Sequence, residues 1–418
     1  MRSTRLRLRS ACALAAAAGM LVVPTAAGAA YGTAPAASQA AATAVTPATA
    51  VPQTDDGEFP ELTPAVAAEI DKAVQDTMRQ TRVPGVIVGL WAPGKGSYVR
   101  AFGVADEQTG TPMTPDLNMR VGSVTKTFTV TALLRLVDQG QLGLDDTIDQ
   151  YVSGVPNGER ITLRQLAGMR SGLYNYADDP DFNKRLDTLP TEPFTPQDLL
   201  DYSFKHGVQF APGSTFEYSN TNLILLGLAI EKVTGRPLQD VMEDQVLEPA
   251  GLRDTIFPTT PEFPEPHAHG YTAQTTSGEI EDATDLNPSW GWAAGAVISN
   301  LQDLRSWSRT LATGTLLTPE TQAERLDTQP IGIPNASYGL GIFDVNGWIG
   351  HDGSTLGYES LVVYLPEARA SLVILLNTDV LTEGKEPSAF LGQAVTRVVT
   401  PDHIYPGPTP VAPLRSGG

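Results

Sequence analysis

The stretch Val121–Lys126, Val-Gly-Ser-Val-Thr-Lys in sequence, opens a long apolar run that ends near Gly140. Apolar side chains fall on most of the circumference of a helix built from this run, which predicts a buried helix. Ser123 and Lys126 are three residues apart, so they share one face of that helix and lie one turn apart. We therefore expect a central helix that carries a serine and a lysine side by side at its start.

A serine hydroxyl beside a lysine amine is a candidate nucleophile with its base. The hydroxyl is a weak nucleophile until a neighbouring group takes its proton. A lysine that is partly desolvated and close to the positive end of a helix dipole has a lowered pKa and can serve as that base. Taken alone, the pair of Ser123 and Lys126 fits a helix N-cap beside a solvated lysine equally well. Motifs elsewhere in the chain are needed to distinguish a catalytic pair from a helix cap.

The first 29 residues have the features of an export signal. Four arginines precede an apolar stretch at 11–23, and Ala27–Ala29 supplies the small residues of a cleavage site. The apolar stretch is too short to span a membrane. The only cysteine, Cys12, lies at the start of this stretch, where lipid attachment is not expected. We predict a secreted chain without a membrane anchor after signal cleavage.

The composition argues against several classes of function. A formal charge of −19 disfavours a nucleic-acid partner, because a phosphate backbone needs a basic face. Removal of Cys12 with the signal excludes disulfides and thiolate metal ligands. His267 and His269 lie in a proline-rich loop with no obvious carboxylate partner, so we predict surface histidines, no metal and no cofactor. We expect a monomer.

Strand patterns occur at both ends of the folded region, with helical and loop-rich sequence between them. The predicted parts are a signal peptide (1–29), an Ala/Thr/Pro-rich linker (30–57), a serine hydrolase domain (58–400) and a Pro-rich tail (401–418). We predict an α/β fold of the α+β type, with one antiparallel sheet formed by both ends of the domain and flanked by helices. A sheet lobe covers 58–141 and 291–400, and an all-helical lobe covers the inserted 142–290.

Individual elements are predicted from capping residues, periodicity and turn signals. An amphipathic helix follows Thr63, and a hairpin turns at Pro93-Gly94. The other helices are predicted at Pro196–His206, Thr221–Thr234 and Gly384–Thr400. The late strands are predicted at Tyr338–Val345, Trp348–Gly350, Tyr358–Leu365 and Ser371–Asn377.

Two further motifs complete a pattern with Ser123 and Lys126. Tyr218–Asn220 (Tyr-Ser-Asn) lies in a loop just before a predicted helix, and His351–Gly353 (His-Asp-Gly) lies between predicted strands. In this order the S-x-x-K, Y-S-N and H-x-G motifs resemble the penicillin-recognising serine hydrolases. The sequence is most similar to soluble serine D-alanyl-D-alanine carboxypeptidases and class C β-lactamases. The likeness covers about 102–400.

The resemblance implies a mechanism with three catalytic residues. Ser123 attacks a carbonyl and forms an acyl-enzyme that water later hydrolyses. Lys126 acts as the base or keeps Tyr218 anionic, since a phenol with a pKa near 10 becomes a useful base only beside a positive charge. Which of the two is the base stays open.

The substrate-binding residues that the resemblance implies are Asn220, Trp290, His351, Gly353 and Ser354. The backbone N–H groups of Ser123 and Ser354 would form an oxyanion hole, and Gly353 would let substrate lie close to the strand. Trp290 would line the cleft. The Asn220 amide suits a peptide bond because it both donates and accepts, and it can equally cap the helix at Thr221.

Two departures from the closest carboxypeptidases concern the substrate. Asp352 replaces a threonine in the third motif, and alternation along a strand puts it on the face of Ser354. Ile342–Asp344 (Ile-Phe-Asp) follows the Y-G-L-G stretch, where those enzymes carry an arginine. Both changes disfavour a substrate carboxylate and leave the acyl-transfer chemistry untouched.

We therefore predict an exported serine hydrolase whose first assignment is D-alanyl-D-alanine carboxypeptidase on cell-wall peptides. An esterase, D-aminopeptidase or β-lactamase with the same mechanism is the first alternative, supported by the two departures. A non-catalytic cell-wall binding protein with the same fold is the second, disfavoured because the serine, lysine and tyrosine are all present. The substrate is accordingly a small peptide, an ester or a β-lactam.

Overall fold

A nine-stranded antiparallel sheet forms the centre of the computed structural model, which describes residues 59–188 and 192–407. The predicted signal peptide, the predicted linker and most of the predicted tail lie outside these described residues. Within the two described ranges, no helix combines the length and apolarity that crossing a bilayer requires.

The elements are numbered in chain order. The strands are β1 (Gly85–Ala92), β2 (Gly96–Asp106), β3 (Thr111–Pro112), β4 (Met119–Arg120), β5 (Tyr271–Thr272), β6 (Glu281–Asp282), β7 (Ile298–Ser299), β8 (Gln329–Pro330), β9 (Ala336–Tyr338), β10 (Phe343–Val345), β11 (Trp348–Thr355), β12 (Tyr358–Leu365) and β13 (Ala370–Leu376). The helices are α1 (Pro64–Thr81), α2 (Thr125–Asp138), α3 (Leu163–Ala167), α4 (Pro180–Leu186), α5 (Pro196–Phe204), α6 (Thr221–Thr234), α7 (Leu238–Met242), α8 (Glu248–Ala250), α9 (Trp292–Gly295), α10 (Leu301–Thr313), α11 (Pro319–Leu326) and α12 (Pro387–Val399).

Both ends of the domain contribute to the central sheet, as the sequence predicts. Its strand order is β3-β2-β1-β13-β12-β11-β10-β9-β8, and β1 pairs antiparallel with β13 with Val86 opposite Leu376. Strands β1, β12 and β13 are buried along their whole length. Helix α12 packs on one face, where Ser388 N–H donates to Glu359, and α10 packs on the other, where Ser308 bonds Ser371. The predicted fold class is confirmed.

Several predicted elements occur where the sequence signals place them. Thr63 caps α1 by accepting a hydrogen bond from the N–H of Val66 at 3.3 Å. The β1–β2 hairpin turns after Ala92. Helix α6 has the predicted bounds and ends at Gly235, whose φ of 65° suits a residue without a side chain.

The prediction of one continuous strand at Tyr338–Val345 is wrong. The structure has β9 and β10 there, joined by a turn in which Gly341 has a φ of 70°. The N–H of Gly341 donates to the carbonyl of Ala167 in the inserted segment, so this turn leaves the sheet to contact that segment. The inserted segment is helical as predicted from α3 to α8, but it also contains the short β5–β6 pair, which the sequence analysis did not anticipate.

Helix α2 is buried on nearly every side, and alternate threonines fix its position. The hydroxyl of Thr125 accepts from the N–H of Val297 at 3.0 Å, and that of Thr127 accepts from the indole of Trp307 at 2.8 Å. The Thr129 hydroxyl donates to the Ala293 carbonyl at 2.7 Å. Residues two apart on a helix point in nearly opposite directions. These hydrogen bonds therefore hold α2 from several sides and leave little freedom for rotation or sliding.

Candidate active site

Ser123 and Lys126 are in direct hydrogen-bond contact at the start of α2. Ser123 lies in a 3₁₀ turn, Gly122–Val124, that precedes α2, rather than within the α-helix itself as the sequence suggested. The Nζ of Lys126 lies 2.9 Å from Ser123 Oγ and 2.9 Å from the carbonyl oxygen of Ala294. Lys126 is 0% exposed and Ser123 is 6% exposed. A buried amine at this distance can take the proton of the hydroxyl when the amine is neutral.

Tyr218 completes the cluster from a third element. It belongs to the loop before α6, and its neighbour Glu217 donates its N–H to the carbonyl of Met169. The Nζ of Lys126 lies 4.9 Å from the centre of the Tyr218 ring, which is buried. The three residues predicted to be catalytic therefore meet at one place, although the phenol lies far from the other two in sequence.

Two glycines bring the strand β11 against the turn that carries Ser123. A Cβ on Gly353 would lie 2.0 Å from the carbonyl oxygen of Val121, and a Cβ on Gly122 would lie 2.8 Å from the N of Ser354. The hydroxyl of Ser360 donates to the same Val121 carbonyl at 2.9 Å and strengthens this contact. The close approach brings the backbone of Ser354 next to the turn, so the two N–H groups expected to form an oxyanion hole lie on adjoining backbones.

Ser123 lies at the wall of a small pocket of about 70 Å³. The lining residues are Ser123, Tyr176, Ala177, Phe182, Asn183, Leu186, Asn220, Gln274, Trp290, Gly291, Ala294, Gly295, Ser354, Thr355 and Leu356. Among these described residues there is no lysine, arginine, histidine, aspartate or glutamate. The pocket therefore presents apolar side chains, amides and hydroxyls to a substrate.

Three predicted binding residues, Asn220, Trp290 and Ser354, line this pocket. The backbone N–H of Asn220 donates to Asn175 Oδ1 at 3.0 Å, while its side chain makes no capping bond to α6. Of the two alternatives for Asn220, the helix cap is therefore not the one adopted. The carbonyl of Trp290 accepts a hydrogen bond from the hydroxyl of Tyr176 at 2.8 Å, which fixes this wall of the pocket.

His351, which the resemblance implied as a substrate-binding residue, is not among the described residues that line the pocket, and neither is Asp352. The His351 side chain is 1% exposed and packs against Phe343, with ring centres 4.7 Å apart, so the imidazole does not line the pocket. The centre of the imidazole lies 6.2 Å from the centre of the Tyr218 ring, so His351 packs beside the tyrosine. Asp352 is half-buried and is not among the described lining residues, and Asp344 accepts the N–H of Gly347 within the β10–β11 turn. Neither carboxylate faces the pocket.

Gln274 and Asn183 are lining residues that the sequence analysis missed. The Gln274 amide nitrogen donates to the carboxylate of Asp379, which also accepts from the Thr272 hydroxyl at 3.0 Å. The Asn183 amide nitrogen donates to the carbonyls of Ala177 and Asp179 at 2.9 and 3.0 Å. No motif marks these residues, because each reaches the pocket from a loop or short helix whose place is set by tertiary packing.

The described residues contain no group of three or more His, Cys, Asp or Glu side chains arranged to hold a metal ion. His269, expected to lack a carboxylate partner, has one: its Nδ1 lies 2.7 Å from Asp282 Oδ2. This hydrogen bond raises the pKa of His269. The pairing is between two partly exposed side chains.

The comparisons with known proteins identify the family. Residues 70–395 match the family described as Beta-lactamase, which is more than half of the chain. The chain therefore belongs to this family and is a serine hydrolase of the β-lactamase and penicillin-binding-protein fold. This confirms the family that the three motifs indicated.

Three relatives illustrate the range of the family. A D-stereospecific amidohydrolase from Streptomyces sp. is 33% identical, with a TM-score of 0.70 over 75% of this chain and 94% of that one. A D-amino acid amidase from Ochrobactrum anthropi SV3 is 28% identical, with a TM-score of 0.71 over 80% of this chain and 97% of that one. Protein flp of Staphylococcus aureus (strain MW2) is 26% identical over 74% of this chain, which spans only 62% of flp.

The contact between β11 and the Ser123 turn predicts the effect of Gly353→Ala. The added methyl group overlaps the Val121 carbonyl, so we expect a loss of about 1–3 kcal/mol in the free energy of unfolding. We expect activity to fall about 100-fold or more because the strand and the turn move apart. Urea unfolding and a hydrolysis assay measure both effects.

Gly295→Ala is the control for stability, because the nearest atom to its Cβ is 4.0 Å away. Its free energy of unfolding should stay within about 0.5 kcal/mol of the wild type. A Gly353→Ala protein as stable and active as the wild type would contradict the proposed close packing.

Asp379 predicts a pH dependence of stability. Burial raises the pKa of Asp379 to about 6, against the hydrogen bonds from Thr272 and Gln274 that lower it. Between about pH 4 and pH 6 the unfolded chain ionises this carboxyl while the folded protein keeps its proton, so this group makes the protein less stable as pH rises. Above pH 6 both states are ionised and the penalty is constant.

The variant Asp379→Asn removes this titration. The free energy of unfolding of the variant minus that of the wild type should therefore rise by up to about 3 kcal/mol between pH 4 and pH 6.5. Burial also raises the pKa of the neighbouring Glu359, which is present in both proteins. Denaturant titrations at each pH measure the free energy of unfolding of both proteins. A difference between the two proteins that does not change with pH would refute the raised pKa of Asp379.

Proposed function

We propose that this serine hydrolase cleaves the amide bond of small D-amino acid amides and related D-amino-terminal peptides through an acyl-enzyme. One observation carries the proposal: the pocket beside Ser123 offers hydrogen-bond acceptors and no cationic side chain among its described lining residues.

The amides of Gln274 and Asn183 supply these acceptors. Their NH₂ groups are already used by Asp379 and by two backbone carbonyls, as described above. An amide whose nitrogen is satisfied inside the protein has its carbonyl oxygen left for a ligand. Two such oxygens suit the ammonium group of a free amino acid amide, which carries donors and no acceptor.

A substrate carboxylate finds no comparable partner in this pocket. Burying an unpaired carboxylate costs several kcal/mol, and no arginine or lysine is among the described lining residues to offset this. The Lys126 amine is bonded to Ser123 Oγ and to the carbonyl of Ala294. The absence of a cation therefore favours a neutral leaving group, such as ammonia or an amine, over a terminal D-alanine. The similarity to the Streptomyces D-stereospecific amidohydrolase and the Ochrobactrum D-amino acid amidase supports both the amide bond and the D configuration.

The apolar wall and the size of the pocket indicate the acyl portion. The larger apolar and aromatic lining residues are Tyr176, Phe182, Leu186 and Trp290. The pocket volume of about 70 Å³ is small compared with a typical ligand pocket of several hundred Å³. We infer that one apolar side chain of the D-amino acid fills it.

In the proposed mechanism, Ser123 Oγ attacks the amide carbonyl while Lys126 Nζ takes the hydroxyl proton. The N–H groups of Ser123 and Ser354 stabilise the resulting oxyanion. The C–N bond then breaks, and the leaving amine receives the proton from Lys126. The hydroxyl of Tyr218 passes this proton from Lys126 to the leaving nitrogen. Water hydrolyses the ester that remains, returns the acid and restores the Ser123 hydroxyl.

D-Alanyl-D-alanine carboxypeptidase activity is the second candidate, and one observation favours it. The side chain of Asn220 makes no capping bond, and the hydroxyl of Ser354 lines the same pocket. These two uncharged groups can donate hydrogen bonds to the carbonyl oxygen of a peptide or to a terminal carboxylate. They supply no charge, which is why this activity ranks below amide hydrolysis.

The two candidates are separated by turnover of D-phenylalanine amide, its L enantiomer, its N-acetyl derivative and an N-acyl-D-alanyl-D-alanine. We expect kcat/KM to be highest for the free D-amide and about 10-fold or more lower after N-acetylation, because the acceptor oxygens then lose the ammonium. Ser123→Ala should abolish all turnover. Preference for the N-acyl dipeptide would overturn the first candidate in favour of the second.

Variants of the cluster test the roles of the amine and the phenol. Lys126→Met should lower kcat by about 100-fold or more, because the hydroxyl loses its proton acceptor. Tyr218→Phe keeps the ring beside Lys126 and removes only the hydroxyl, so it measures the contribution of the phenol alone. A Lys126→Met enzyme with wild-type kcat would refute the assignment of Lys126 as the base.

Export and a monomeric state stay predictions from the sequence. Mass measurement of the protein from the culture medium tests cleavage after Ala29, and light scattering tests the oligomeric state.

A further inference from the structure

A second and larger pocket lies away from Ser123, with a volume of about 740 Å³. Its floor is a row across three neighbouring strands, in which Tyr364 lies opposite Ser371 and Ser371 lies opposite Trp91. Directly opposite residues in a sheet point to the same face. Helix α10 forms one wall on that face, and the β1–β2 turn forms another.

Three arginines surround this floor. Arg305 and Arg309 lie one turn apart on α10, and Arg369 lies in the turn between β12 and β13. The guanidinium of Arg305 lies 4.9 Å from the centre of the Trp91 ring, which orients it over the floor. All three side chains are exposed to solvent.

The three arginines have no acidic partner among the residues that the structure describes. No aspartate or glutamate lines the pocket, and Glu367, two residues before Arg369, pairs instead with His403 at 3.0 Å. Like charges at i and i+4 destabilise a helix by a few tenths of a kcal/mol. In a chain of formal charge −19, this is an unneutralised concentration of positive charge in a concave site.

This pocket is independent of the Ser123 pocket. Ser354 lies opposite Glu359 on β12, and Tyr364 is five residues further along the same strand, a distance of about 17 Å at 3.3 Å per residue. The two pockets share no lining residue. A ligand can therefore occupy one without entering the other.

We propose that this pocket binds a small organic phosphate. Arginine presents several N–H donors in a planar fork that matches the oxygens of a phosphate, and two or three forks from different elements suit a dianion. The hydroxyl of Ser97, another lining residue, adds a donor. Trp91 and Tyr364 are buried residues that line the floor, and the small part of each that stays exposed is available to the uncharged part of the ligand.

Calorimetric titration with phenyl phosphate at fixed ionic strength tests the proposal. We expect saturable one-site binding to the wild-type protein and to Ser123→Ala. Arg305→Gln combined with Arg309→Gln should weaken the affinity at least about 10-fold, because both forks are lost. Arg160→Gln combined with Arg253→Gln is the matched control, since both arginines are exposed elsewhere and the change in net charge is the same.

The control should stay within about 2-fold of the wild-type affinity, a difference of roughly 0.4 kcal/mol. Equal weakening in the control would show a general charge effect and overturn the proposal, as would the absence of saturable binding to the wild type. Benzoate provides the chemical comparison. Binding of benzoate as tight as that of phenyl phosphate would overturn the assignment to phosphates, and binding at least about 10-fold weaker would support it.

Discussion

The backbone contact between β11 and the turn at Gly122–Val124 is the constraint on which the candidate active site depends. It exists only because Gly122 and Gly353 have no side chains at the point of approach. The contact brings the backbone of Ser354 next to the turn that carries Ser123, and both residues line the pocket. A serine and a lysine at helical spacing are common in sequences. A serine whose turn packs directly against the backbone of a strand, with a glycine on each side of the contact, is a far more restricted arrangement.

The burial of Lys126 depends in turn on the fixed position of α2. Short helix α9 places the carbonyls of Ala293 and Ala294 where Thr129 and Lys126 donate to them. The last carbonyls of a helix have no hydrogen-bond partner within that helix. In α9 these carbonyls are bonded by side chains of α2, and the same bonds hold α2 in place. Because the threonines of α2 are bonded on several sides, the amine has one well-defined location beside Ser123 rather than a range of solvent-exposed ones.

The parts of the structure that follow local rules were predictable from the sequence, and the pocket walls were not. The bounds of α6, the Thr63 cap and the hairpin after Ala92 depend on neighbouring residues only. Gln274 enters the pocket because Asp379, 105 residues later in the chain, holds its amide. The amide of Asn183 is held by the nearby carbonyls of Ala177 and Asp179, but no sequence motif shows that this short helix reaches the pocket. Alternation along β11 did not predict the contact of His351 Nδ1 with Asp352 Oδ1 at 3.4 Å, and it does not reveal how far a pocket extends along a strand.

The distribution of charge connects the two pockets. Strong overall acidity would repel an anionic substrate, and no arginine or lysine is among the described residues that line the pocket at Ser123. The one amine beside it, that of Lys126, is bonded to Ser123 Oγ and to the carbonyl of Ala294. Positive charge is instead concentrated around Arg305, Arg309 and Arg369, on another part of the same sheet. A neutral or cationic substrate at the serine and an anion at the arginines is therefore the pairing that this field favours. The reverse pairing would oppose the electrostatics of both sites.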